Sequence, residues 1–347
     1  LDPIAARYDT RATFTATTSW STFDTALAGA VGFGGAAFDG RYVYLVPYSR
    51  PDGSVGSTIV RYDTQAAFST QTSWSAFDVS TVTAGAAGFV GAVFDGRFLY
   101  LVPYGQDTAL DGFVARYDTK GEFSASTSWA TFDTGTVDAN AKGFYGATFD
   151  GKYLYLSPYA DAFGSYSGHV TRYDTTASFS ATSSWSVFDT STANPRAKGY
   201  FGATFDGRYT YFVPYGGDGS TGGMVARYDT QSDFATQTSW SFFDPSSLGI
   251  GPQGALFDGR YVYLVPSATP SGPSGLVARF DTEGNFTSPS AWTTFDTNTV
   301  NTGATWFWGG AFDGEYIYFT PSEGSAIARF DARTPPLMPS AYHGSFF

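Results

Sequence analysis

The chain has 347 residues, 19% of them aromatic and only 14% charged, with 41 Gly, two His, no Cys and a formal charge of -12. So apolar and aromatic a composition excludes a disordered chain and supplies a large core. The lack of Cys removes disulfides, Cys-ligated zinc, iron–sulfur clusters and thiol nucleophiles. His169 and His343 leave no His-rich metal site, the acidity argues against nucleic acid as a partner, and no run of about 18 apolar residues is present to insert in a membrane. The start at Leu1, without Met or a basic leader, suggests a processed or truncated beginning.

Three signatures recur in fixed order along the chain. Arg-(Tyr/Phe)-Asp begins at Arg7, Arg61, Arg116, Arg172, Arg227, Arg279 and Arg329; Trp-x-x-Phe-Asp begins at Trp20, Trp74, Trp129, Trp185, Trp240 and Trp292. Phe-Asp-Gly begins at Phe38, Phe94, Phe149, Phe205, Phe257 and Phe312. Successive Arg anchors lie 54, 55, 56, 55, 52 and 50 residues apart, so one supersecondary block is repeated in line.

Each block reads as four short strands. A small-residue strand of the type Gly35-Ala36-Ala37-Phe38 ends in Asp-Gly, a hairpin signal that places both turn residues at positive φ. The next strand, as in Tyr42-Val43-Tyr44-Leu45-Val46-Pro47, is apolar on both faces and belongs between packed layers. A Gly/Ser-rich loop leads to the Arg strand, and a near-constant connection leads to the Trp strand.

Six such blocks resemble the β-propeller class, over residues 1–332, without the marks of Trp-Asp, kelch or sialidase blades. The resemblance implies an all-β, six-bladed β-propeller of four-stranded blades, its ring closed by the N-terminal strands. Seven blades with an incomplete first blade is the alternative, because seven Arg strands accompany six Phe-Asp-Gly strands, and the segments of Arg7 and Arg329 compete for one place. Residues 333–347 read as a tail resembling a decayed outer hairpin, with Tyr342 opposite Trp292.

Repeated residues read first as framework. Twelve of 19 bases and 19 of 31 acids belong to the recurring motifs, so the net charge mostly reports architecture. Arg and Asp two apart share a strand face, which suits ion pairs or hydrogen bonds between blades. The repeated Trp reads as outer-blade packing, with a sugar-stacking platform as the other reading. Asp52, Asp107, Asp111, Asp161 and Asp218 in the outer loops make calcium conceivable, but ordinary turn chemistry accounts for them and no cofactor is expected.

Function is expected in the variable connections around the channel mouth. Lys142 and Lys198 precede Gly and two aromatics, Phe144-Tyr145 and Tyr200-Phe201, and Arg196 lies close in sequence. With Trp306 and Trp308 they predict a basic, aromatic-lined site of Lys142, Tyr145, Arg196, Lys198, Tyr200, Trp306 and Trp308, suited to a glycan or another anionic or polyhydroxylated ligand. The reading is a lectin-like binding protein, secreted or at the cell surface. One alternative is a self-assembling extracellular protein, a homo-oligomer linked through the surplus outer strand. Another is a polysaccharide lyase or glycoside hydrolase, although the four Glu and scattered Asp nominate no carboxylate pair.

Overall fold

The computed structural model describes residues 3–332 except 10, 14, 51, 107–108, 163, 216–222 and 323–325. It divides into two compact units, Leu1–Gly143 with Thr175–Ser184, and Phe144–Asp174 with Trp185–Phe347. The first unit holds a hairpin of Ile4–Tyr8 and Trp20–Asp24 and two antiparallel blades. Blade one is Phe33–Phe38, Tyr42–Pro47, Thr58–Asp63 and Trp74–Asp78; blade two is Phe89–Phe94, Phe98–Pro103, Phe113–Asp118 and Trp129–Asp133.

The second unit holds blade three (Phe144–Phe149, Tyr153–Pro158, His169–Asp174, Trp185–Asp189) and blade four (Tyr200–Phe205, Tyr209–Pro214, Val225–Asp229, Trp240–Phe243). Blade five follows (Pro252–Phe257, Tyr261–Pro266, Leu276–Asp281, Trp292–Asp296), then blade six (Phe307–Phe312, Tyr316–Pro321, Ala328–Asp331). The chain is a six-bladed, all-β propeller. Helical structure among the described residues is confined to 3-10 turns of three or four residues, and no helix is long and apolar enough to cross a membrane.

The two Arg strands that the sequence sets in competition are told apart by register. Arg329 lies opposite Tyr318 in the third position of blade six, as Arg61 lies opposite Tyr44 and Arg172 opposite Tyr155. The strand of Arg7 pairs with Trp20–Asp24 in a two-stranded sheet of its own among the described residues. The tail 333–347 lies outside the described residues.

The Asp-Gly hairpins differ from expectation in a way that explains the repeat. Only the glycine adopts positive φ, between 92° and 102° in all six turns. The aspartate is instead a hydrogen-bond hub: Asp39 Oδ1 accepts from the N–H groups of Arg41 and Tyr42, and Oδ2 accepts from the Tyr44 hydroxyl at 2.7 Å. The Tyr155, Tyr211 and Tyr263 hydroxyls are held the same way by Asp150, Asp206 and Asp258. Burial, reinforced by that carboxylate, pushes these phenols above their ordinary range. The second Tyr of Tyr-x-Tyr thus fastens the second strand to its own turn.

The framework Arg and Asp also part company. Asp63, Asp118, Asp229 and Asp281 pair with Arg41, Arg97, Arg208 and Arg260 of their own blades at 2.7–3.0 Å. The Arg of the third strand is sandwiched between rings instead: Arg61 lies 4.1 Å from the Tyr42 ring centre and 4.4 Å from that of Phe123, and donates to the Tyr117 hydroxyl of the next blade. Arg172 repeats this with Tyr153, Phe234 and Tyr228. A planar, weakly hydrated guanidinium suits such a slot better than an ammonium would.

Trp-x-x-Phe-Asp is packing, as its first reading had it. The Phe of one outer strand stacks on the Trp of the next: Phe23 on Trp74, Phe77 on Trp129, Phe188 on Trp240 and Phe243 on Trp292, with centroids 4.3–4.9 Å apart. The closing Asp caps a 3-10 turn by accepting from the N–H two residues on. At the inner end, neighbouring first strands approach so closely that a Cβ at Gly35 would come 2.8 Å from the Val90 carbonyl oxygen, and one at Gly146 2.7 Å from that of Phe201. The small residues of the first strand follow from this approach.

Candidate functional site

Every first strand carries a bulge. Pairing with the second strand skips one residue after the first: Phe144 faces Pro158 and Gly146 faces Ser157, leaving Tyr145 outside the ladder. The same step isolates Phe201, Gln253 and Trp308 in the second unit, and Gly34 and Val90 in the first. A bulge re-aims the side chain it isolates. The residue before it turns inward, so Phe89, Phe144, Tyr200 and Phe307 are fully buried.

In the second unit the re-aimed residues converge. Phe201 stacks on Tyr145 (3.7 Å, 23°) and on Tyr215 (4.8 Å, 22°), and Trp308 meets it edge-on at 5.6 Å and 89°. Tyr159 packs edge-on against Phe201 and Tyr215, and Tyr166 lies tilted against Tyr159 at 5.5 Å. Tyr159 and Tyr215 both follow the Pro that ends a second strand. Trp308 is 48% exposed, although most aromatic side chains of the repeat are buried.

Trp306, two residues before Trp308, has a strained backbone. Its φ of 53° makes it the one described non-glycine residue in the left-handed region, at the position held by Gly32, Gly88, Gly143 and Gly199 elsewhere. Its carbonyl accepts from Ser322 N–H at 2.8 Å, as Gly32 accepts from Tyr48. A bulky residue there costs about 1–2 kcal/mol relative to glycine, and strain of this kind collects at functional sites.

The residues expected at the site therefore sort by geometry. Tyr145 and Trp308 are joined through Phe201. Tyr200 is buried and donates to Thr190 Oγ1 at 3.0 Å, because the bulge sends the first aromatic of each pair into the core. Arg196 is engaged with Asp244 at 2.7 Å. Burial pushes Asp244 up, but hydrogen bonds from Arg196 and Ser246 outweigh it and hold the carboxyl below its usual value. Lys198 is exposed, and Lys142, at the end of the first unit, is half-buried.

Other polar groups are structural in their contacts. Ser167 Oγ lies 3.2 Å from His169 Nδ1, and His169 Nε2 lies 4.0 Å from Asp189 Oδ2, with Ser167 fully buried. Asp52 accepts from Ser54 within a turn. Asp107 and Asp218 lie outside the described residues, and no three His, Asp or Glu gather as metal ligands among the described ones.

No protein-family model matches the chain, and no curated protein matches it. Among solved structures it is similar to a putative 6-phosphogluconolactonase from Bacteroides fragilis, with 14% identity, 96% of this chain and 90% of that one covered, and a TM-score of 0.51. It is also similar to YjhT, with 11% identity, 87% and 98% coverage and a TM-score of 0.50. The likeness is one of fold alone.

Proposed function

We propose that the protein is a secreted or surface-exposed binding module whose ligand is a glycan. The observation that carries this reading is the aromatic row of the second unit, where Phe201 is stacked between Tyr145 and Tyr215 and Trp308 stands exposed against its edge. The face of an aromatic ring suits the C–H face of a pyranose, and ligand sites combine such surfaces with a few placed polar groups. The capture of Arg196 by Asp244 weakens the case for an anion and favours a neutral, polyhydroxylated ligand. Glycan-array screening followed by titration calorimetry tests the reading. Trp308→Ala is expected to weaken binding about tenfold or more, about 1.4 kcal/mol. Equal affinity in the variant, or no glycan bound by the parent, contradicts it.

A second reading, self-association, rests on the outer face of blade five. Phe295 is 57% exposed, whereas its counterparts Phe23, Phe77, Phe188 and Phe243 are buried on the next Trp. The same blade carries a groove of about 390 Å³ lined in part by Tyr261, Arg279, Asp281, Asn285 and Thr293. This face has the chemistry that receives an outer hairpin, and we infer that the hairpin of Ile4–Tyr8 and Trp20–Asp24 from a second copy, with Tyr8 and Trp20 at the matching positions, occupies it. Light scattering is expected to show a concentration-dependent oligomer that Phe295→Ser converts to monomer. A parent protein that is monomeric at all concentrations contradicts this reading.

A further inference from the structure

Blade five breaks the aromatic pattern of the row. At the bulge it carries Gln253 where blades three, four and six have Tyr145, Phe201 and Trp308. After the Pro of its second strand it carries Ser267 where blades three and four have Tyr159 and Tyr215. Both side chains are buried, Gln253 to 1% exposure and Ser267 to 0%.

Their hydrogen bonding is incomplete. Gln253 Nε2 donates to the Phe307 carbonyl at 2.6 Å, which leaves Oε1 as the other end of the amide. Neither Gln253 Oε1 nor Ser267 Oγ makes a hydrogen bond within the protein. A buried polar atom left unsatisfied forfeits its hydration without return, and native structures keep few of them. Of the six such atoms among the described residues, these two lie at the two positions that form the row elsewhere. Phe201 of blade four and Trp308 of blade six meet at right angles although blade five separates them in sequence, so the row is continuous across the blade that bears the polar pair.

We propose that Gln253 Oε1 and Ser267 Oγ are the polar contacts that orient a sugar on the aromatic row, with one hydroxyl of the sugar donating to Gln253 and another accepting from Ser267. The inference rests on the glycan reading and adds which hydrogen-bonding groups read the ligand. Both groups are buried, so the sugar reaches them where side chains of the row move aside.

Gln253→Leu and Ser267→Ala, compared with the parent by thermal unfolding and by calorimetry with a glycan selected on the array, test it. Ser267→Ala is expected to keep or raise the melting temperature, because an unsatisfied buried group is removed, whereas Gln253→Leu also gives up the hydrogen bond to the Phe307 carbonyl and is expected to lower it; each is expected to lose about tenfold or more in affinity. Monodeoxy sugars sharpen the result: the parent discriminates against the sugar lacking the contacted hydroxyl, and the variant does not. Unchanged affinity in both variants, while Trp308→Ala still loses binding, overturns this inference and leaves the glycan reading standing. No glycan bound by the parent overturns both. Should Gln253→Leu fail to fold, Ser267→Ala with the deoxy series decides alone, and equal discrimination by that variant counts against the proposal.

Discussion

Trp240→Ala is expected to lower the unfolding free energy by about 3–5 kcal/mol, the cost of truncating a fully packed aromatic residue. Trp240 is buried, stacks on Phe188 at 4.9 Å and 12°, and touches Tyr228, Phe234 and Phe212. Its indole N–H donates to the Phe234 carbonyl at 3.1 Å, so truncation leaves that buried acceptor unmade as well as a cavity. The loss falls on a contact between blades three and four, because Phe188 belongs to one and Trp240 to the other. Trp20 stands at the equivalent place in the N-terminal hairpin but is 41% exposed, so Trp20→Ala is expected to cost less than half as much. Denaturant unfolding of the two variants measures the difference. Equal small losses would mean that the Trp-on-Phe stacks do not hold the blades together.

Asp111→Asn is expected to stabilise the protein by about 2–3 kcal/mol above neutral pH and to have no effect near pH 4. Asp111 lies ahead of the third strand of blade two, and burial pushes its carboxyl up to about 6 from an ordinary 3.8. N–H groups of Phe113, Ala87 and Gly112 oppose the rise, and the charge of Asp133 adds to it. Oδ1 accepts from Phe113 N–H at 2.9 Å, whereas Oδ2 has no hydrogen-bond partner, so the ionised form is poorly solvated where it sits. With the folded value above the unfolded one, the folded chain holds the proton more tightly. Stability from this group is therefore complete below about pH 4, falls as pH rises towards 6, and stays low above it. Asparagine has no charge to bury and keeps the acceptor for Phe113. Urea midpoints across this range check the sign; a benefit that is the same at every pH would contradict it.

Much of the fold was legible because the repeat is dense. The alternation of Tyr with Val and Leu, the glycine after each Phe-Asp, and the spacing of the Arg anchors fix strand number and order through local chemistry that six blades share. Partner choice was less legible. The sequence places Arg61 and Asp63 on one face, but it does not show that Arg41, a strand away, takes the carboxylate and that Tyr42 and Phe123 take the guanidinium. Those contacts depend on the hairpin turn and on the next blade.

Of the residues expected at the site, Tyr200 is turned into the core. Phe144-Tyr145 and Tyr200-Phe201 look alike as pairs, but the bulge divides each pair into a buried member and a re-aimed one. Nothing in the residue types announces a bulge that all six blades share. Once the blades are aligned, the same column that gives Tyr145, Phe201 and Trp308 also gives Gln253, a polar residue where its neighbours are aromatic. That departure marks where the row turns polar in blade five.

The aromatic row of the second unit is proposed to bind a neutral sugar by stacking, rather than an anion by charge. Calorimetric affinity for an array-selected glycan at low and at high salt, measured for the parent, Trp308→Ala and a Lys142→Ala/Lys198→Ala double variant, tests it most directly. The expected affinity is insensitive to salt and to loss of the two lysines, and is lost with Trp308. Binding that weakens steeply with salt and fails in the lysine variant, while Trp308→Ala binds as the parent does, would contradict it.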